Sequence, residues 1–347
     1  MSVDTILNRQ YAIANNEAEA IELPKQRLYA MCNLRGGIGK TTLSFNLSYL
    51  VDNLLAVDTC PQGNLSYFYD NNYYAGQQIN VKDMLLPYLV PGLGKATRVA
   101  AYIGATNQYF AEKNNYYIPS SEELYLLPSQ LITAINQTAG LQYPQKEQAL
   151  KSILYSLKTE IERELRENDL DKCLIDTSPF FAGATQLAWY AADALVIPVR
   201  PDQQSIKSLE LLVNTLSNPQ SEFRKYLPEN DMNIPKIQMV VLTHCGWSTV
   251  AGARNEPNQQ TKVYLNKVYD IISKHRTLLS TNNPENHLVM LDDFLGSGRI
   301  SSFESKPMAL LKEGETKVID RVRVSVNKSV DKCKNQLKFI AEQLWMH

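Results

Sequence analysis

Short, unbroken apolar runs punctuate the chain at residues 27–33, 54–57, 124–127, 173–175, 194–199 and 237–242, with a weaker one at 288–291. Continuous rather than alternating runs are the form taken by strands buried on both faces of a parallel sheet. Between them the period changes. Leu150, Ile153, Leu154, Leu157, Ile161 and Leu165 recur at three- and four-residue steps, the stripe of an amphipathic helix, and residues 43–50, 205–216 and 263–272 repeat the theme. Strand alternating with helix predicts an α/β fold, a doubly wound and mostly parallel sheet flanked by helices in three layers. Its ligand edge lies at the C-terminal ends of the strands.

Three stretches depart from this rhythm. Residues 1–24 read as a polar N-terminal extension with one short helix started by Asp4 and closed before Pro24. Residues 70–120 read as a helical excursion packed beside the ligand edge. Tyr67, Tyr69, Tyr73, Tyr74, Tyr102, Tyr109, Tyr116 and Tyr117 crowd it and its borders, and an aromatic partner-binding surface is the alternative. Ile319, Val322, Val326, Val330, Cys333, Leu337, Ile340 and Leu344 step by three and four. That spacing predicts a long helix or a bent pair capping the domain over about 315–347. A single domain then spans 25–347.

Composition narrows the class. Hydrophobic residues make up 44% of 347 and charged ones 20%, the balance of an ordinary globular chain. With 35 basic against 36 acidic residues, no global field draws the molecule to DNA or an anionic membrane, so such binding must come from a local patch. Cys32, Cys60, Cys173, Cys245 and Cys333 are scattered without a C-x-x-C pair, and the four histidines are equally dispersed, which leaves a structural zinc site unsupported. The start of the chain has no basic and apolar leader pattern, and no apolar run is long enough to span a bilayer. A cytoplasmic location, with nucleoid association as an extension of it, fits these features.

Chemistry concentrates at residues 34–42, which follow the first apolar run and open a helix-patterned segment. Strand, glycine-rich turn, Lys-Thr and helix is the context of a phosphate-binding loop. Gly36, Gly37 and Gly39 can take positive φ and leave no Cβ between backbone N–H groups and a phosphate, with Ile38 among them and Thr42 closing the segment. Exposed N–H groups at the helix start add partial positive charge. Lys40 reaches the β- and γ-phosphates, and the Thr41 hydroxyl completes the shell of Mg²⁺. ATP with Mg²⁺ is the ligand this loop implies.

Four further segments take their meaning from that loop: Asp58-Thr59-Cys60-Pro61-Gln62-Gly63-Asn64, Asp176-Thr177-Ser178-Pro179, residues 200–205, and residues 299–307. An aspartate ending a strand, as Asp176 does, holds a metal-bound water by a charge-assisted hydrogen bond. Together the motifs resemble the ParA/MinD family of deviant-Walker P-loop ATPases, and its ParA partition branch in particular. The family loop K-G-G-x-G-K-[ST]-[ST] is matched by residues 35–42, the branch motif D-x-D-P-Q-G-N by 58–64, the D-x-P-P strand end by 176–179, and the V-I-P-V strand by 196–199. The resemblance runs from about Arg27 to the C-terminus and covers 70–120 poorly.

It implies an ATP-dependent sandwich homodimer in which a signature lysine crosses to the partner's phosphates. It also implies non-specific DNA binding by that dimer, released when a ParB-like or other adaptor stimulates hydrolysis. Asp58, Cys60 and Asn64 form the γ-phosphate switch, with Asp58 also a candidate for the metal. Thr243 and Asp292, from element order, are the candidate adenine contacts. Arg299, Lys306, Lys312, Arg321 and Arg323 are the candidate DNA contacts, diluted by Glu304, Glu313, Glu315 and Asp320.

Two departures stand out. Arg35 replaces the signature lysine, keeping the charge with a different reach and geometry. Cys60 replaces the switch aspartate that orients the attacking water, and a neutral thiol is a poor acceptor for it. Slow or partner-stimulated hydrolysis follows from that exchange. The competing functions are a nucleotide-gated scaffold acting on a protein partner and a MinD-like membrane-associated ATPase. In the tail, residues 334–347 carry an apolar stripe that continues the preceding helix without a linker, as a docked helix would.

Overall fold

The computed structural model describes residues 2–73, 78–94, 98–227, 234–248 and 256–346; Tyr74 and His347 lie outside them. The chain opens with helix α1 (Ser2–Ala14), then β1 (Leu28–Met31), α2 (Lys40–Leu50), β2 (Leu54–Asp58), α3 (Asn64–Tyr69) and α4 (Val81–Leu89). Next come β3 (Ala101–Tyr102), β4 (Tyr116–Ile118), α5 (Leu127–Gln137), α6 (Gln145–Leu154), α7 (Ser156–Glu167) and β5 (Lys172–Asp176). Strand and helix then alternate through α8 (Ala184–Ala191), β6 (Ala194–Val199), α9 (Gln203–Ser217), β7 (Lys236–Cys245), α10 (Gln259–Lys274), β8 (Leu288–Asp292) and α11 (Leu295–Glu304). A hairpin of β9 (Thr316–Ile319) and β10 (Val322–Ser325) precedes helix α12 (Val330–Leu344).

The main sheet has the order β3-β4-β2-β5-β1-β6-β7-β8, parallel throughout except for β3 against β4. Successive strand residues feed two separate cores. Leu55, Val57, Cys173 and Ile175 face one helical layer with Leu157, Trp189 and Leu212, whereas Leu54, Ala56 and Leu174 face the other with Phe45, Leu337 and Ile340. Burial on both sides is why these runs are continuous in sequence.

The structure corrects five sequence expectations. Residues 124–127 form no strand: Ser121 accepts from the Glu123 N–H and starts a 3₁₀ turn, and Pro128 then sits in the first turn of α5. Leu124, Leu127 and Leu131 are buried at helical spacing while Tyr125 and Leu126 face solvent. The stretch 70–120 is only partly helical, since β3 and β4 extend the main sheet and Tyr69 and Tyr117 are core residues in contact with each other. The stripe from Leu150 to Leu165 belongs to two helices that meet at Tyr155.

The predicted cap over 315–347 is helical only from Val330. Asp320 and Arg321, at φ 49° and 67°, make the two-residue turn of a hairpin instead. Both central residues with positive φ give the turn whose twist suits paired strands.

The N-terminal helix begins before Asp4, which lies in its first turn. Ile6 and Ile13 are buried, and Gln10 donates to the Met290 carbonyl at 2.8 Å and accepts from its N–H at 3.0 Å. Gln10 thus covers the free edge of β8, where unpaired backbone groups would otherwise stand exposed. On the same side α12 is docked rather than pendant: Leu337, Ile340 and Leu344 are buried, and Trp345 meets Tyr29 edge to face at 5.2 Å.

Candidate functional site

The loop between β1 and α2 folds as a phosphate cradle does. Gly37 and Gly39 have φ +69° and +87°, a region L side chains rarely adopt, whereas Gly36 does not need it. A Cβ at Gly36 or Gly37 would meet no atom within 4 Å, and α2 starts without a side-chain cap. Its first N–H groups are therefore available to an anion. Lys40 is 7% exposed and lies back along the loop, donating to the carbonyls of Asn33 at 3.2 Å and Arg35 at 2.8 Å. Burial pulls its ammonium below the usual range, opposed by the charge of Asp176.

Two carboxylates stand behind the cradle. Asp58 and Asp176 are register partners at the ends of β2 and β5, both buried. Thr41 Oγ1 and Ser44 Oγ each donate to Asp176 at 2.8 Å, which ties the head of α2 to the neighbouring strand. Burial raises Asp176 to about 6, against the hydroxyl bonds and Lys40. Burial and then the charge of Asp176 raise Asp58 to about 7. The oxygens of Asp58 are spent locally, on the Cys60 N–H at 3.0 Å and on the Ser66 N–H and hydroxyl at 2.9 and 2.8 Å. That arrangement makes Asp58 the anchor of the loop 59–63 and of α3.

Within that loop Cys60 is 5% exposed, its carbonyl accepts from Ser120, and burial with the adjacent Asp58 charge pushes its thiol up to about 12. Asn64 starts α3 and donates to Gln62 at 3.3 Å. Arg35 pairs with Asp202, the N-cap of α9, and donates to Ser205 at 2.6 Å. Arg200 donates to the Gly37 carbonyl at 3.3 Å.

Beside Gly39 and Thr42 opens a cavity of about 740 Å³, lined also by Thr243, His244, Leu291, Asp292 and Arg299. Thr243 reaches it as a loop support, donating to the Ile38 carbonyl at 2.9 Å. Asp292 accepts from Gln336 at 2.7 Å and pairs with Lys332 at 3.3 Å. Arg299 lines this cavity together with Ile319, Asp320, Val322 and Val324 of the hairpin, near the remaining candidate DNA residues. Those lie around the hairpin, where Lys306 pairs with Glu315 at 2.7 Å, Lys312 donates through its N–H to Glu315 at 3.2 Å, and Arg323 donates to Thr316 at 3.5 Å. Arg321 is in the hairpin turn.

Ser44, Ser66, Ser120 and His244 belong to the site without having been singled out from the sequence, and Asp202 was marked only as part of the segment 200–205. Ser44 was discoverable, because it stands three residues after Thr41 on one helix face.

A glycine cradle at a helix start, a buried lysine and a strand-ending aspartate tied to the loop threonine define a P-loop nucleotide-binding protein. The model of the AAA domain family (AAA_31) matches residues 26–228, more than half of the chain. Soj, the sporulation initiation inhibitor of Bacillus subtilis, is 27% identical over 258 residues, covering 73% of this chain and 86% of that protein. The chromosome-partitioning ATPase Soj of Thermus thermophilus is 26% identical over 198 residues, 55% of this chain and 62% of that one. Among solved structures, the ATP complex of McdA from Cyanothece superposes with a TM-score of 0.59 at 15% identity, covering 92% of this chain and 95% of that one. A putative plasmid partition protein of Borrelia burgdorferi bound to AMPPNP gives 0.54 at 15% identity, covering 92% and 100%. The chain belongs to the AAA domain family and, like its Soj relatives, is a ParA/MinD-family P-loop ATPase.

Proposed function

We propose that this chain is a ParA-type partition ATPase that binds Mg-ATP, dimerises face to face, and positions DNA or another cargo through non-specific DNA binding. The observation that carries this reading is the Thr41–Asp176 hydrogen bond at 2.8 Å, with the switch-loop anchor Asp58 in register beside it. Helix start, metal-ordering carboxylate and switch loop are thereby joined in one unit, so a change at the γ-phosphate reaches residues 59–64 directly.

Gly37 and Gly39 shape the cradle, Lys40 neutralises phosphate charge, and Thr41 with Asp176 would hold Mg²⁺, which supplies charge neutralisation to the phosphates. The apolar and aromatic tips Tyr125, Leu126 and Phe180 project from loops on this same edge at 59%, 59% and 61% exposure. Tyr125 and Leu126 line a groove with Pro61, Gln62 and Asn64, so the surface offered to a second copy includes the switch. Slow turnover follows from Cys60, whose neutral, buried thiol cannot order an attacking water as a carboxylate does.

A nucleotide-gated scaffold without DNA binding is the second reading, and one observation favours it. Lys306 of the candidate basic patch is paired with Glu315, and the neighbouring Lys317 with Glu304, which offsets part of the positive charge there. Membrane attachment has less to rest on, because the α12 stripe is buried and no helix of the described residues is long and apolar enough to cross a membrane.

Light scattering and retention on duplex DNA, with ATP, ADP and no nucleotide, test the proposal. A dimer formed with ATP alone and retained on DNA at low but not moderate salt supports partition. An ATP dimer with no retention at low salt supports the scaffold.

A further inference from the structure

We infer that His244 is a specificity contact to the nucleotide, bonding the ribose beside its junction with the α-phosphate. The inference rests on the P-loop reading above and extends it to a residue that neither the loop motif nor the switch motif contains.

His244 is the penultimate residue of β7, beside the cradle. Its Cε1 stands 3.5 Å from where a Cβ on Gly39 would be, so the imidazole lies against the residue that immediately precedes α2. The ring also lines the 740 Å³ cavity, whose walls include Leu291, Phe294, Val322 and Val324. That volume and those apolar walls suit a nucleoside. Phosphate binds at the helix start and Lys40 points back along the loop. The cavity is also lined by Gly39 and Thr42 at that helix start, so His244, which lies against Gly39 and lines the cavity, stands between cradle and cavity.

Two further observations show that the residue is not placed there for the fold's benefit. Its Nδ1 is buried and has no hydrogen-bond partner among the described residues. Its backbone is left-handed, at φ 55°, directly after Thr243 has locked the strand end to Ile38. An orphaned polar atom and a strained backbone both oppose folding, and such features gather at ligand clamps. Burial, followed by the Arg200 charge, lowers the imidazole pKa, so at neutral pH the ring carries one donor and one acceptor nitrogen.

The test is calorimetry on the full chain with Mg-ATP, Mg-ADP and Mg-tripolyphosphate, for wild type, His244→Ala and His244→Gly, alongside Tm without ligand. Loss of one hydrogen bond should weaken ATP and ADP about tenfold in both variants while tripolyphosphate stays within about twofold. Without ligand, His244→Gly should melt at or above the wild-type temperature, because the left-handed backbone suits glycine. Unchanged nucleotide affinity, or equal losses for tripolyphosphate, overturns the assignment. So does a Tm fall in the glycine variant that accompanies the affinity loss, since that marks a structural role. A wild type that binds tripolyphosphate but not nucleotides overturns this inference alone, and one that binds nothing overturns the P-loop reading as well.

Discussion

Arg35 and Asp202 form an ion pair within one chain, and the same guanidinium donates to Ser205 at 2.6 Å. The residue expected to reach a second subunit is therefore held by the N terminus of α9. Both side chains are under 30% exposed, at 28% and 29%, yet solvent still screens them, so the pair contributes on the order of 1 kcal/mol. A bond of that strength can be exchanged for a phosphate contact, but it opposes the exchange.

Asp202→Asn should lower the ATP concentration needed for dimerisation about fivefold. Asparagine keeps the cap that Asp202 provides to the Ser205 N–H at 2.9 Å while removing the charge that binds Arg35. Light scattering across an ATP titration measures the shift. An unchanged midpoint would mean that the pair does not restrain Arg35.

The buried carboxylates set a pH dependence in the nucleotide-free protein. Asp176 rises from an ordinary 3.8 to about 6 and Asp58 to about 7, so the folded state holds protons that the unfolded state has released. The stability linked to them is full below about pH 4 and is lost as pH rises through 6 to 7. Asp176→Asn removes one of these groups, and its amide can still bond to the rotatable hydroxyls of Thr41 and Ser44. Urea unfolding at pH 8 without Mg²⁺ should show this variant about 1–3 kcal/mol more stable than wild type. The difference should shrink toward pH 4, and Mg²⁺ should stabilise only the wild type.

Much of the sheet was legible in the chain because its strands are buried on both faces, which makes 54–57, 173–175 and 194–199 unmistakably apolar. The cradle was legible because few backbones other than a phosphate loop need glycine at both 37 and 39. The hairpin was not. Ile319, Val322 and Val326 happen to fall at helical intervals, and its turn is made by Asp320 and Arg321 without the glycine that usually announces one. Nor could spacing reveal that Arg35 meets Asp202 or that His244 meets Gly39, since both contacts depend on how distant strand ends converge.

Cys60→Asp should raise steady-state ATP turnover at least tenfold, because a carboxylate restores an acceptor for water beside the γ-phosphate. Cys60→Ser, neutral and small, should leave turnover near wild type. The gain carries a structural penalty. Asp58 and Asp176 already raise the Cys60 thiol through their charge, so a third carboxylate there should destabilise the fold by about 1–3 kcal/mol. Phosphate-release kinetics with a parallel melting curve separates the two effects. Equal turnover in the aspartate and serine variants would show that another group already positions the water.

Gln10→Ala tests whether the N-terminal helix is an appendage or part of the sheet's protection. The amide satisfies both the N–H and the carbonyl of Met290 on the outer edge of β8, at 3.0 and 2.8 Å, and is itself only 1% exposed. Alanine would leave two backbone groups unpaired beneath α1, at a cost of about 2–4 kcal/mol. Arg9, which donates to the Leu288 carbonyl at 2.7 Å on the same edge, is placed to share that load. Removing both side chains should therefore destabilise by more than the sum of the single changes, because each variant alone keeps α1 seated. Urea denaturation of the single and double variants measures it. Losses below about 0.5 kcal/mol would mean that the helix rests on the edge without sealing it.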